Sequence, residues 1–240
     1  MLGPRAIAWW SLRRKADGVS VEGLERVPRS GPVLLAARHY HHLLDGAVLV
    51  HHLPRPVHIV VALDWSANAK QRRIMERACA WAHFPVILRP ATTGAHGGYA
   101  ASEVQRYLRS GVRDAAALLR DGRVVLVFPE GYPVIDPTVS DATPRARDAD
   151  GLLPFAAGFR TIVRAAQRNG ARNVAVVPVG LRYEPSGPRG ARWCITVRFG
   201  EPLAAADADV ATVTRAVREL SRSSSMRELS RSSSSSSSDG

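Results

Sequence analysis

Two apolar runs constrain this chain more than any other feature: Val33-Leu34-Leu35-Ala36-Ala37 and Val124-Val125-Leu126-Val127-Phe128. Each has the length and the apolar, partly β-branched content of a buried strand, and each stops at polar, ionisable residues. Arg38-His39-Tyr40-His41-His42-Leu43-Leu44-Asp45 follows the first, and Pro129-Glu130-Gly131 follows the second. A buried strand that ends in such residues is where α/β proteins place their chemistry.

Further strands are expected at 19–24, 57–63, 84–88, 174–179 and 193–199. Helices are expected at 4–15, 46–53, 66–82, 101–121, 155–169 and 208–220. The 66–82 helix shows Ile74, Ala78 and Trp81 on one face. Ser102 is the expected cap of the 101–121 helix and Gly122 its stop. Strands alternating with helices predict an α/β fold, with a mixed, largely parallel sheet flanked by helices on both faces. A short N-terminal amphipathic helix precedes it, carrying Trp9-Trp10 and the basic end Arg13-Arg14-Lys15. Tryptophan beside arginine is a membrane-interface signature, and packing of the tryptophans onto the core is the equally weighted alternative.

The 240 residues, 45% hydrophobic, suffice for one full core. The expected organisation is an interfacial helix at 1–18, a catalytic domain at 19–220 and a disordered Ser/Arg-rich tail at 221–240. Arg-Glu-Leu-Ser-Arg-Ser-Ser-Ser occurs twice near the C-terminus, at 218–225 and 227–234. Residues 91–98 and 132–151 read as loops, the second long enough to be functional or disordered. Cys79 and Cys194 suggest neither a disulfide framework nor a zinc site, so no metal is expected and a reducing compartment is. No stretch reaches the roughly 18–20 apolar residues that span a bilayer. The basic cluster follows the first apolar patch rather than preceding it, so no secretory signal is expected.

The net charge of +12 comes almost wholly from arginine, Lys15 and Lys70 being the lysines. Such a surface favours polyanions, but arginine bias alongside abundant Ala, Gly, Val and Pro explains it equally well. The arginines are spread along the chain without a nucleic-acid motif, so no nucleic-acid partner is expected.

The two strand ends suit transfer of an acyl group from a thioester to an alcohol. A neutral imidazole takes the hydroxyl proton as the oxygen attacks. A carboxylate on the other ring nitrogen fixes the tautomer and stabilises the imidazolium. Backbone N–H groups at a turn commonly hold the oxyanion. No acyl-enzyme is needed, and no Gly-x-Ser-x-Gly elbow occurs. His39 and Asp45 bracket a strand-to-helix corner and are candidates for base and partner. His41 rivals His39, since at i and i+4 it would face Asp45 if the segment were helical. Gly131 permits a turn and close approach of an anion. Arg89, after Phe84-Pro85-Val86-Ile87-Leu88, can pair with a phosphate through its planar fork.

In this order these blocks resemble the glycerolipid acyltransferase family, which includes the 1-acyl-glycerol-3-phosphate acyltransferases. The family's N-H-x-x-x-x-D block corresponds to Arg38-His39 through Asp45, and its arginine block to Phe84 through Arg89. Its F-P-E-G-T-R block corresponds to Phe128-Pro129-Glu130-Gly131-Tyr132, and its V-P-V block to Val176-Val177-Pro178-Val179. Phe199-Gly200-Glu201-Pro202-Leu203 resembles the closing F-G-x-P segment. Two departures stand out. Five residues rather than four separate His39 from Asp45, so the usual spacing would put Tyr40 at the base position. Tyr132-Pro133 replaces the family's Thr-Arg.

The resemblance implies acyl-CoA or acyl-carrier-protein as donor substrate, no further cofactor, and a lysophospholipid acceptor. His39 would be the base, Asp45 its partner, and Arg89, Glu130 and Gly131 would shape the acceptor phosphate site. Glu130, itself negative, would organise the loop or the arginine rather than touch phosphate. A glycolipid or other hydroxylated lipid as acceptor, or an inactive lipid-binding homologue, are the alternatives. The expected location is cytoplasmic, peripheral on the anionic inner face of the cell membrane.

Overall fold

The computed structural model describes residues 3–66, 68–89, 99–134, 148, 150–187 and 192–222. Its helices are α1 (Pro4–Lys15), α2 (Leu44–His52), α3 (Ala69–Trp81), α4 (Ala101–Arg120), α5 (Gly158–Arg168) and α6 (Val210–Ser221). The strands are β1 (Ala16–Glu22), β2 (Val33–Ala37), β3 (Val57–Ile59), β4 (Val61–Ala62), β5 (Val86–Ile87), β6 (Val124–Val127), β7 (Ala175–Ser186), β8 (Arg192–Phe199) and β9 (Leu203–Ala204). The main sheet runs β1-β8-β7-β2-β6-β3, with β9 also on β7. Pairings β7·β2, β2·β6, β6·β3 and β1·β8 are parallel, and β8 and β9 meet β7 antiparallel.

The run at 33–37 is the middle strand of the sheet, and all five of its residues are buried. Its side chains alternate between faces with the period of two that a strand imposes. Val33, Leu35 and Ala37 meet α1 and α2 on one face, while Leu34 and Ala36 meet α4, α5 and α6 on the other. That arrangement is why the run reads as continuously apolar. The two helical layers are the expected flanks. α1 contributes Ala8 and Leu12 to the first core and leaves Trp9 and Trp10 exposed, each tryptophan under an arginine, Arg13 and Arg14 respectively.

Three elements depart from the sequence expectation. The expected strand at 57–63 changes partner halfway: Val60 N donates to Leu126 O in the main sheet, and Val61 N donates to Pro85 O beside β5. β4 and β5 thus form a separate two-stranded parallel sheet. The expected strand at 174–179 runs seven residues further, because its second half pairs with β8 from Val179↔Phe199 to Ser186↔Arg192. Gly180, which looks like a terminator, is a close-approach site: a Cβ there would lie 2.5 Å from the Leu220 carbonyl carbon of α6. Finally, the face of α3 formed by Ile74, Ala78 and Trp81 is exposed. Cys79 is buried instead and Met75 packs on a small cluster with Leu63, Leu88 and Tyr99, so the helix is turned by about one residue.

Smaller differences sit at element ends. β1 begins at Ala16, directly after α1, because Ala16 already pairs with Trp193. Asn68 caps α3, its side chain accepting from Gln71 N at 2.8 Å. Ala100 rather than Ser102 is the cap residue of α4. α6 includes Ser221, and Arg222 pairs with Asp150 at 3.0 Å. The loop expected at 91–98, most of that at 132–151, and residues 223–240 of the tail lie outside the described residues. Among the described residues no helix is long and apolar enough to cross a membrane.

Candidate active site

The chain leaves β2 at Ala37, and Arg38 N still donates to Val179 O of β7. It then turns through residues 39–43 into α2. Asp45 lies in the first turn of α2, its side chain fully buried. One oxygen, Oδ2, accepts from Tyr40 N at 2.6 Å, His41 N at 2.9 Å and His39 Nδ1 at 2.9 Å. The other, Oδ1, accepts from the Tyr183 hydroxyl at 2.6 Å. A carboxylate only accepts, so the imidazole proton of His39 sits on Nδ1 in this pairing and Nε2 keeps its lone pair. The extra residue between His39 and Asp45 is accommodated here: the corner wraps around the carboxylate, which takes the N–H groups of Tyr40 and His41 that the turn leaves without a strand or helix partner.

His41 is placed differently. Its Nδ1 accepts from Leu43 N at 3.2 Å and Leu44 N at 3.4 Å, so its imidazole serves the start of α2, while its backbone touches Asp45. The ring of His39 stacks on Phe128, with centroids 4.2 Å apart.

Glu130 is almost completely buried in the turn after β6. Its Oε1 accepts from His39 N at 2.7 Å and its Oε2 from Leu153 N at 3.0 Å. It therefore links the two strand-end loops to the segment before α5. Burial pushes its carboxyl above the ordinary glutamate range, more than the two N–H groups and the neighbouring Arg38 and His39 pull it down. Gly131 follows at φ +74°, a left-handed turn that side chains disfavour. Its carbonyl accepts from Arg89 Nη1. Arg89 Nε donates to Asp64 Oδ2 at 2.7 Å, and its guanidinium lies 3.7 Å from the centre of the Tyr132 ring. The aromatic ring that replaces the family's threonine therefore covers a face of the arginine.

His39, Arg89 and Gly131 share the wall of a cavity of about 560 Å³, whose remaining lining is mostly apolar and includes Val50, Ile59, Cys79, Phe84 and Phe128. Ile7, Leu43, Trp65 and Trp81 belong to the same lining yet are exposed, placing apolar side chains at the opening. Burial pushes the Cys79 thiol up to about 11, so it is not a thiolate nucleophile at neutral pH. Among the described residues no three His, Cys, Asp or Glu side chains are grouped as metal ligands.

The sequence expectation brought His39, Asp45, Arg89, Glu130 and Gly131 to one place, and the structure puts them there. It missed two partners. Asp64 stands immediately after the 57–63 segment, the same strand-then-acid signal that singled out Glu130. Tyr183 gave no signal, lying where the strand was expected to have ended.

A family model described as Acyltransferase matches residues 18–182, more than half of the chain and the span holding all five of those residues. No curated protein matches. The fold is similar to the crystal structure of the 1-acyl-sn-glycerophosphate (LPA) acyltransferase, PlsC, from Thermotoga maritima. That match has a TM-score of 0.55 and 15% identity, and covers 95% of this chain and 78% of that one. The family match, the order of the blocks and the fold agree: this chain belongs to the acyltransferase family.

Proposed function

We propose that the chain moves a fatty acyl group from acyl-CoA or acyl-carrier-protein to the hydroxyl of a lysophosphatidate-like acceptor, with His39 as general base. The observation that carries this is a His39–Asp45 pair opening onto an apolar cavity that also holds Arg89. His39 Nε2 takes the acceptor's hydroxyl proton as its oxygen attacks the thioester carbonyl. Asp45 stabilises the imidazolium formed. Collapse of the tetrahedral intermediate breaks the carbon–sulfur bond, and the imidazolium returns the proton to the departing thiolate. The ester and the free thiol carrier leave. The exposed apolar side chains at the cavity opening, with Trp9 and Trp10 beside the basic end of α1, fit a protein lying on an anionic membrane surface. A lysophospholipid acceptor partitions to that surface, and a cytoplasmic thioester donor would reach it from the cytoplasmic face.

The test is thiol release from long-chain acyl-CoA, and separately acyl-carrier-protein, with lysophosphatidate on anionic liposomes. Acceptor-dependent release is expected with at least one donor. Its absence with both sinks the lysophosphatidate reading.

A second acceptor class is favoured by one observation. The charge of Arg89 is offset by Asp64 and its face is covered by Tyr132, an arrangement that also suits a neutral, hydroxyl-rich headgroup. The double variant Arg89→Gln/Asp64→Asn separates the two, since it removes both charges and leaves no lone buried ion. For a phosphate-binding site, KM for lysophosphatidate rises about tenfold or more, by roughly the 1.5–3 kcal/mol of a charged hydrogen bond. KM for a monoacylglycerol stays unchanged. Equal effects on both acceptors would favour the neutral class.

Cys79 tests the cavity as acyl site. Replacing it with Phe fills volume in the wall, and each methylene denied burial costs about 0.8 kcal/mol. Cys79→Phe is therefore expected to lower kcat/KM for palmitoyl donors by about tenfold or more while sparing decanoyl donors. A uniform loss across chain lengths would remove the cavity from acyl binding.

A further inference from the structure

We infer that Tyr183 is a positioning residue for this reaction, holding Asp45 by its Oδ1 and thereby setting the basicity of His39. The inference rests on the reading of His39 as base. Tyr183 lies in the half of β7 that pairs with β8, opposite Ile195 and one residue past the stretch matched by the family model. Its hydroxyl donates to Asp45 Oδ1 at 2.6 Å, so the carboxylate is gripped at both oxygens: a β7 side chain on one, the corner's own groups on the other. The two oxygens belong to one rigid plane, so the phenol on Oδ1 reinforces from the β7 side the orientation that the corner sets through Oδ2.

The phenol is itself held. Its ring lies parallel to Tyr40 with centroids 4.7 Å apart, and Trp193 meets it edge-on at 5.8 Å. Burial and the charge of Asp45 keep the phenol protonated well above the ordinary tyrosine range, so it donates at every pH where His39 can act as a base. A donor mounted on a strand and packed between two rings positions more rigidly than one on a loop.

The hydrogen bond also has an electrostatic consequence. It draws negative charge toward Oδ1 and away from the oxygen facing His39. Removing it concentrates charge beside the imidazole and favours the imidazolium. The other charged or titratable groups around the pair are Arg38, Tyr40, His41 and His42 from the corner, Glu130 at the His39 backbone N–H, and Arg89 and Cys79 in the shared cavity wall. All remain in place when the phenol oxygen is deleted.

The test follows His39 directly, by NMR titration of its imidazole, assigned by comparison with His39→Ala. In Tyr183→Phe the imidazole pKa is expected to rise by about half a pH unit, the size of a net hydrogen bond. The acid limb of kcat moves up with it, so kcat on that limb falls about threefold, the factor that half a pH unit represents, and KM for both substrates holds. An isosteric variant, Tyr183→3-fluorotyrosine, keeps the packing and strengthens the donor, so it is expected to move the imidazole pKa down. An unchanged His39 titration in the fluorotyrosine protein overturns the inference, even if Tyr183→Phe fails to fold. Loss of kcat with no movement of the titration reduces Tyr183 to a packing residue and also overturns it. Persistence of activity in His39→Ala removes instead the reading of His39 as base, and the titration still reports whether Tyr183 governs the pair.

Discussion

His39→Ala is expected to lower kcat by about 10²–10⁴ with little change in KM, the contribution of a positioned general base. Asp45→Ala should do at least as much harm, because it also deprives the N–H groups of Tyr40 and His41 and the hydroxyl of Tyr183 of their acceptor. Asp45→Asn is the cleaner probe. Two backbone donors converge on Oδ2, so the amide oxygen must occupy that position, and the amide nitrogen then faces Tyr183, whose hydroxyl can accept as well as donate. The corner keeps its geometry while losing the charge that supports the imidazolium, and kcat should fall by about 10²–10³ with the fold intact. Because the pair acts as a unit, the double variant His39→Ala/Asp45→Ala should be no slower than the worse single one. His41→Ala should leave kcat close to wild type and lose only the modest stability of its contacts with the start of α2. Steady-state rates with circular dichroism on each variant check the series. A loss confined to His41→Ala would move the base to that residue.

The parts of this arrangement that were legible in the sequence share a physical cause. A strand buried on both faces needs apolar residues at every position, so Val33–Ala37 could be read to the residue. His39, Asp45 and Glu130 announced themselves because ionisable groups at the end of such a run are costly unless partnered. Tyr183 stayed hidden because it belongs to a strand whose continuation depends on β8, where Ile195 stands opposite it. Local propensity around Gly180 and Pro185 argues against that pairing, and tertiary contact overrides it. The break between β3 and β4 was hidden for a similar reason, since the apolar stretch from Ile59 to Leu63 does not say that it serves two sheets. The spacing puts Ile74, Ala78 and Trp81 on one face of α3, but a period count registers apolar residues without knowing what they face. Ala78 and Trp81 line a cavity instead of a core.

Glu130→Ala is expected to be the most destabilising single change at the site. It strips the acceptor from two N–H groups, those of His39 and Leu153, in a place water does not reach. At about 1–3 kcal/mol for each unsatisfied donor, the loss is roughly 2–6 kcal/mol, a large fraction of the roughly 5–15 kcal/mol that holds a domain folded. Activity should fall as well, since His39 loses the backbone anchor that fixes it against Asp45. Glu130→Gln keeps the size and one acceptor oxygen, so its loss should be smaller, and it isolates the titration. The folded carboxyl holds its proton to higher pH than the free side chain, whose value is 4.5. Its titration therefore contributes stability that is fully present below about pH 4.5 and is lost as pH rises through the raised folded value. Glutamine cannot titrate. In urea unfolding at a series of pH values, wild type should gain on Glu130→Gln as the pH falls through that window and hold its gain below it. A difference independent of pH would mean that Glu130 enters the fold without a change in its proton affinity. The turn would then stand on its two hydrogen bonds, with burial offset by Arg38 and His39.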